Sequence, residues 1–294
     1  YTKSQFLYNN LYIYICIYVY MYKPYTIYED KDFMIFYKPP FWKMDIPNKY
    51  NIRDKEKVKE VLSQNIKPLQ VYIGYFLLNY RNIVPKDIYF NVLHRYDAQT
   101  SGGIVVAKSD RIYNILFKSL GDKNQTVKIY ITLVNGILKN KKGYIKKNIL
   151  CEKKNNSLYC VTSLNEGQTA CSYYEVQGEY KDDKNNQYSL VKVRIFTGKT
   201  HQIRVHMNSL GHSVVSDYKY VDNQELLVIN KKLINRTFLH NYYFEFKLNS
   251  DKHKFTFSLP FDLKYCLNKL TRLVRLSKAD LLHTKSNFLA QSIF

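Results

Sequence analysis

The 294-residue sequence contains no Cys-x-x-Cys pair. Its five cysteines, Cys16, Cys151, Cys160, Cys171 and Cys266, are scattered, and no histidine follows them at zinc-finger spacing. This argues against a structural zinc site, and unpaired thiols in a reducing compartment are expected. His201, His206 and His212 are close together but have no acidic or cysteine companion at ligand spacing, so no metal is expected. There is no P-loop and no dinucleotide fingerprint, which disfavours nucleotide-cofactor enzymes; no cofactor is expected. No internal repeat is present, which removes solenoids and propellers. Long apolar runs are missing too: the tyrosine-rich stretch at residues 11–22 falls short of the roughly 20 apolar residues that cross a bilayer. A methionine start is absent, and Tyr1 reads as the beginning of a fragment or a processed chain. The last shortage is of acid, 24 Asp and Glu against 45 Lys and Arg, for a formal net charge of +21. Such a surface attracts polyanions. A nucleotide-biased genome, rich in codons for Lys, Asn, Ile and Tyr, produces the same count, so charge alone settles nothing.

The chain is 46% hydrophobic, enough for one large or two ordinary domains. Residues 28–40 read as a turn, a short apolar strand and a rigid stop at Pro39-Pro40. Residues 48–60 are strongly charged, and the stretch to residue 88 reads as helix plus irregular connection. Ile104 to Ala107 form a buried strand, and Ser109 and Asp110 can cap a helix carrying Ile112, Ile115, Leu116 and Leu120, closed by Gly121. Residues 127–133 alternate, placing Lys128, Tyr130 and Thr132 on one polar, aromatic face of a strand before an Asn135-Gly136 turn. Residues 190–196 form another strand, and Gly198 lets the chain turn into a helix from Gln202 to Leu210, ended by Gly211. Residues 238–248 and 253–259 make a hairpin, and the leucine-rich, basic segment from Phe261 onward reads as helix. Strands outnumber helices and are often hairpin-connected. The fold class is therefore α+β, a mixed and largely antiparallel sheet flanked by helices and loops. Three parts are expected: an N-terminal Tyr/Ile-rich extension (1–27), one catalytic domain (28–262) and a basic helical tail (263–294).

The chemistry points to residues 94–103, His-Arg-Tyr-Asp-Ala-Gln-Thr-Ser-Gly-Gly, a polar loop entering a buried strand. Its single carboxylate, Asp97, is flanked by Arg95 and can serve as nucleophile or base. A nearby cation keeps such a carboxylate ionised and oriented, and Arg204 in the second basic segment (197–206) can supply it. An aspartate near an arginine is equally an ordinary salt bridge. Tyr130, one of 29 tyrosines, means little by itself.

The combination and order of these segments resembles the RluA-type pseudouridine synthase family. That family carries His-Arg-Leu-Asp followed two residues later by Thr-Ser-Gly; His94, Arg95, Asp97, Thr100, Ser101 and Gly102 agree, with Tyr96 in place of leucine. Lys128-Ile129-Tyr130 matches its Lys-x-Tyr, and residues 198–206 match Gly-Arg-Thr-His-Gln-Ile-Arg-x-His, with Lys199 for the first arginine. Leu210-Gly211-His212, Glu29-Asp30, Lys38-Pro39 and Leu239-His240 also have counterparts. The likeness runs from about residue 28 to about residue 260.

The resemblance implies the pseudouridine synthase fold with a central catalytic cleft, and isomerisation of specific uridines to pseudouridine in structured RNA, ribosomal or transfer. It makes Asp97 the catalytic carboxylate, leaving open whether it attacks sugar, attacks base or removes a sugar proton. Tyr130 would pack on the uracil and relay a proton, Arg204 would hold Asp97 charged, and Arg95 would enter the space left by the flipped nucleotide. The three residues are expected to converge in one basic cleft. His94, Thr100 and Ser101 are expected to shape the loop, while His94, Arg95, Lys128, Lys199 and His201 are the candidates for contact with RNA. Tyr96 and Gly103 depart from the aliphatic residues of the family, which puts the packing beneath the loop in question. A monomer is expected, with RNA as partner and no membrane, in the cytoplasm or an organelle such as a mitochondrion or plastid, not secreted. Two rivals remain at this point: a catalytically silent RNA-binding protein of the same fold, and a membrane-surface protein. Residues 48–88 and 139–166 are the segments expected to choose the substrate.

Overall fold

A computed structural model of the chain describes residues 23–44, 54–63, 67–81, 83, 91–154 and 157–274. The tyrosine-rich run at 11–22 and the tail beyond 274 lie outside them. The chain divides into two compact units, residues 1–114 and 115–294.

The first unit is built on a three-stranded antiparallel sheet in the order β1-β2-β5, made of β1 (Tyr25–Glu29), β2 (Phe33–Lys38) and β5 (Gly102–Ala107). Every residue of β2 and β5 is buried, as their unbroken apolar runs anticipate for strands covered on both faces. The β1–β2 reversal is set by Asp30, whose Oδ1 accepts from the backbone N–H of Asp32 (2.8 Å) and Phe33 (2.9 Å). Order therefore begins before the expected boundary at residue 28, since β1 starts at Tyr25. Glu29 pairs with Arg81 (2.9 Å) and Lys108 (2.7 Å), tying β1 to a helix and to the end of β5. The charged connection holds α1 (Lys55–Leu62), capped by Asp54, and α2 (Leu69–Arg81), with the short parallel pair β3 (Trp42–Lys43) and β4 (Lys67–Pro68). Helix α3 (Asp110–Gly121), which runs across the division at residue 114, follows β5; Ser109 caps it, its carbonyl accepting from Tyr113 N–H (2.8 Å), and Ile112 and Leu116 are buried on it.

The second unit is dominated by a seven-stranded antiparallel sheet. Its path runs β13 (Asp251–Thr256), β12 (Leu239–Leu248), β6 (Thr126–Asn135), β11 (Gln187–Ile195), β10 (Cys171–Lys181) and β14 (Thr271–Val274), and β7 (Lys142–Lys146) also pairs with β10. β6 sits between β12 and β11, so its backbone is paired on both sides. Its alternation is as expected, but both faces are covered, Ile129 at 3% exposure and Tyr130 at 6%. Helix α4 (Gln202–Asn208) is followed by α5 (Gln224–Leu233) and α6 (Phe261–Asn268). Among the described residues, the segment from Phe261 is helical from Phe261 to Asn268, and Thr271–Val274 is a sheet strand. The wholly helical reading missed how β10 extends past β7 and takes a second partner there. Arg236, wholly buried, fixes α6 through Asp262 (Nε to Oδ2 2.6 Å).

A separate hairpin, β8 (Asn148–Lys154) with β9 (Ser157–Ser163), carries a correction. Cys151 and Cys160 stand opposite each other in its register and are joined as a disulfide, whereas unpaired thiols were expected. A spacing of nine residues carries no signal until a reversal between them is known. The foot of the hairpin is closed by two hydrogen bonds of 2.9 Å between Ile149 and Gln168. Gly167 makes this possible: it holds φ +84°, and a Cβ there would lie 2.5 Å from the Ile149 carbonyl oxygen. Among the described residues, no helix is long and apolar enough to cross a membrane.

Gly167→Ala is expected to cost at least about 2 kcal/mol and lower the melting temperature by roughly 4 °C or more. Gly121→Ala, where a Cβ meets nothing within 4 Å, should leave it unchanged or slightly raised. Thermal unfolding followed by circular dichroism compares the two.

Candidate active site

In the first unit, the loop bearing Asp97 is held from below by a buried cation. Lys38, the last residue of β2, is wholly buried, and its ammonium donates to the carbonyls of Pro39 (3.2 Å), Ala98 (2.9 Å) and Thr100 (2.6 Å). An ammonium has three protons, so three carbonyls satisfy it completely, which is the condition for burying it. The loop closes on itself where Thr100 N–H meets the Asp97 carbonyl (3.0 Å), and Phe41 N–H donates to the Ala98 carbonyl (2.7 Å). Phe41 reaches that carbonyl because it adopts φ +68° just after Pro39-Pro40. Gly102, at φ +145°, opens β5 in a backbone conformation suited to glycine.

Thr100 and Ser101 are buried, and the Nε2 of His94 accepts from Val105 N–H (3.2 Å). Tyr96, in the leucine position of the resembled motif, is 7% exposed and donates its hydroxyl to the Gly103 carbonyl (2.8 Å). The two departures from that motif therefore meet in one contact. Against this buried frame, Asp97 is partly exposed and Arg95 exposed. A carboxylate so presented can accept a proton or form a covalent adduct without the loop having to rearrange.

In the second unit, Tyr130 lies mid-strand in β6, opposite Val193 of β11 and Asn241 of β12. A ring on a doubly paired strand is a rigid platform. Lys128 shares its face, with its ammonium 5.4 Å over the Phe244 ring, and burial pulls its pKa from 10.5 down to about 8. The basic segment is organised by Gln202. Its Oε1 accepts from Thr197 Oγ1 (2.8 Å) and Lys199 N–H (3.0 Å), and its Nε2 donates to the Cys171 carbonyl (2.9 Å) and Ser172 Oγ (3.0 Å). His201 precedes α4 in the left-handed region at φ +56°. His206 is wholly buried between Ser172 Oγ (2.9 Å to Nδ1) and the Lys147 carbonyl (3.1 Å to Nε2), and burial lowers its pKa. Both partners are satisfied by a neutral imidazole that donates from Nε2. The Leu-Gly-His segment is structural: Gly211 turns at φ +81°, and His212 Nδ1 reaches the Asn135 carbonyl (2.8 Å).

Arg204, on α4, forms a buried two-point ion pair with Asp217, Nε to Oδ2 2.6 Å and Nη2 to Oδ1 2.7 Å. Its guanidinium carbon lies 4.9 Å from the Tyr220 ring centroid. Sequence reasoning missed Asp217 and Tyr220, which follow the helix in an irregular segment without periodicity, and it gave Lys38 no role. Within each unit the expected residues are held by the elements anticipated: His94, Arg95 and Asp97 on one loop of the first, and Lys128, Tyr130, Lys199, His201 and Arg204 on β6 and the α4 segment of the second. Among the described residues no group of three or more His, Cys, Asp or Glu could hold a metal ion.

Comparison with known proteins places these residues in context. A family model described as RNA pseudouridylate synthase matches residues 33–209, a span that includes Asp97, Tyr130 and Arg204. An uncharacterized RNA pseudouridine synthase of Helicobacter pylori is 29% identical over 235 residues, 80% of this chain and 65% of that protein. A ribosomal large subunit pseudouridine synthase C of Haemophilus influenzae is 30% identical over 192 residues, 65% of this chain and 58% of the relative. The chain thus spans a little under two thirds of the length of these relatives. In structure it is similar to human RNA pseudouridylate synthase domain containing 1, with a TM-score of 0.68 at 19% identity, covering 92% of this chain and 96% of that one. That likeness supports the α+β, mostly antiparallel fold.

Two outcomes are expected. Lys38→Met takes the ammonium donor from the Thr100 carbonyl and leaves the Ala98 carbonyl with only its Phe41 N–H, costing about 1–3 kcal/mol in urea denaturation and exposing the Thr100 amide to faster hydrogen exchange. For Lys128, the window lies between about 8, its folded value, and 10.5: there the unfolded chain keeps a proton that the folded one has lost, so stability rises with pH. Lys128→Met should unfold at a higher temperature than the wild type at pH 7, and the gap should narrow as pH climbs through this window.

Proposed function

Because the chain belongs to the RNA pseudouridylate synthase family, we propose that it isomerises specific uridines to pseudouridine in structured RNA, with Asp97 as the catalytic carboxylate. Detaching a base, rotating it and rejoining it through carbon requires an extruded nucleotide, an ionised carboxylate and a surface to hold the loose base. The observation that carries the proposal is the Asp97 loop: a partly exposed carboxylate on a backbone pinned by Lys38, inside the matched span. Tyr130 is assigned to stacking on the uracil and to the proton relay, a contact worth about 1–3 kcal/mol per base. Arg204 is assigned the counter-charge of the reacting carboxylate. Arg95, exposed on the same loop, is assigned the gap left in the RNA stack, offsetting an unstacking cost of a few kcal/mol.

For the substrate class, the name of the Haemophilus influenzae relative favours ribosomal RNA, with transfer RNA as the second choice. The +21 net charge suits either, and Lys128, Lys199, His94 and His201 are the assigned phosphate and base contacts.

The test is release of tritium from RNA labelled at carbon 5 of uridine. The intact chain should release label from ribosomal RNA, and Asp97→Asn should lose at least about 10³-fold in rate while still retaining RNA on a filter. No release from any RNA pool by the intact protein removes the enzymatic reading. Loss of RNA binding in Asp97→Asn would assign that residue to folding instead.

A further inference from the structure

We infer that Asp217 and Tyr220 are positioning residues that fix the orientation of the Arg204 guanidinium; the inference rests on the proposed use of Arg204 in the reaction. The two contacts to Asp217 run in parallel, one from Nε and one from Nη2, so the carboxylate sets the guanidinium's direction within its own plane. It leaves rotation about the line joining the groups. The Tyr220 ring, with the guanidinium carbon 4.9 Å over its centroid, restricts that rotation.

The holders are themselves held. The Asp217 side chain is wholly buried, and its Oδ1 also accepts from Lys219 N–H (3.2 Å). The Asp217 carbonyl accepts from Tyr220 N–H (3.2 Å) and Val221 N–H (3.0 Å), so both holders belong to one turn. Tyr220, 1% exposed, packs among Ile149, Cys160, Ala170 and Val205. Its hydroxyl accepts from Cys160 N–H (3.1 Å) and lies 2.7 Å from His201 Nδ1. The disulfide-joined hairpin and the residue before α4 therefore meet at a single phenol.

Stability alone does not account for the arrangement. A buried ion pair is a weak stabiliser, because desolvation of both charges offsets their attraction, and apolar residues of similar volume usually do as well. What charges and a ring provide, and aliphatic packing does not, is a defined orientation.

The experiment compares Arg204→Lys, Asp217→Asn, Tyr220→Phe and Tyr220→Leu in the full chain, with tritium release measured per folded molecule as kcat and KM. Tyr220→Leu and Asp217→Asn should lower kcat about tenfold or more with KM for RNA within about twofold, the signature of an interaction used in the transition state. Tyr220→Phe keeps the ring and should keep most of kcat. A wild-type kcat in folded Tyr220→Leu, equal losses in the Phe and Leu variants, or a loss confined to KM would each overturn the inference. Arg204→Lys separates it from the reading beneath: an unchanged kcat there removes Arg204 from the reaction, whereas a loss there with none in Tyr220→Leu removes only the positioning role. Should Asp217→Asn fail to fold, the Tyr220 pair still decides. The nitrogen-15 resonance of the Arg204 Nε–H gives a readout that needs no turnover. It should be sharp and slow to exchange in wild type and Tyr220→Phe and broadened in Tyr220→Leu; an unaltered signal in Tyr220→Leu counts against the role.

Discussion

The first unit depends on a charge that has nowhere else to go. The Lys38 ammonium is shut away from water, and its tolerance there is conditional on three carbonyls, two of them in the Asp97 loop. Moving the loop would strand the ammonium, and removing the ammonium would strand the loop. This mutual dependence holds a backbone that lies outside any strand or helix.

A corresponding division of labour runs through the second unit. Several of the residues that made the sequence recognisable are engaged in holding their neighbours. Gln202 gathers Thr197, Lys199, Cys171 and Ser172 around itself, and His206 sits neutral between Ser172 and Lys147. Neither contact set leaves spare capacity for a substrate. Part of the motif is thus scaffold.

Much of the fold was legible in the sequence because its signals are local. The apolar runs of β2 and β5, the cap at Ser109, the alternation in β6 and the hairpin of β12 and β13 each announce themselves within a dozen residues. What was illegible depends on pairing at a distance. Lys38 gave no hint of its role because two of its carbonyl partners lie 60 and 62 positions away and belong to the backbone, which has no sequence signature. Asp217 was passed over because nothing before folding distinguishes it from other acidic residues. The strand at Thr271–Val274 followed a helix and looked like its continuation, and the disulfide needed a reversal that the charged residues around it did not mark. Of the candidate residues, the loop, Tyr130 and Arg204 were singled out through the resemblance, while Lys38, Asp217 and Tyr220, which contact the loop or Arg204, were not. Tyr96 is the instructive middle case: read as an irregularity, it proved to bury its ring and give its hydroxyl to Gly103, the other irregular position.

The buried pair of Arg236 and Asp262, and the strand that follows it, bear on how the molecule is made. In the first unit the long contacts close early: once Thr100 has been synthesised, the Pro39, Ala98 and Thr100 carbonyls are all available to the Lys38 cation. In the second unit, Arg236 waits for Asp262, and β10 completes its pairing only when Thr271–Val274 arrives, some ninety positions later in the chain. On a ribosome that adds residues from the N-terminus onward, the two units must mature in sequence. The first can settle while the second is still an open sheet with an unpaired edge, which makes that interval the period of greatest exposure to aggregation and to chaperones.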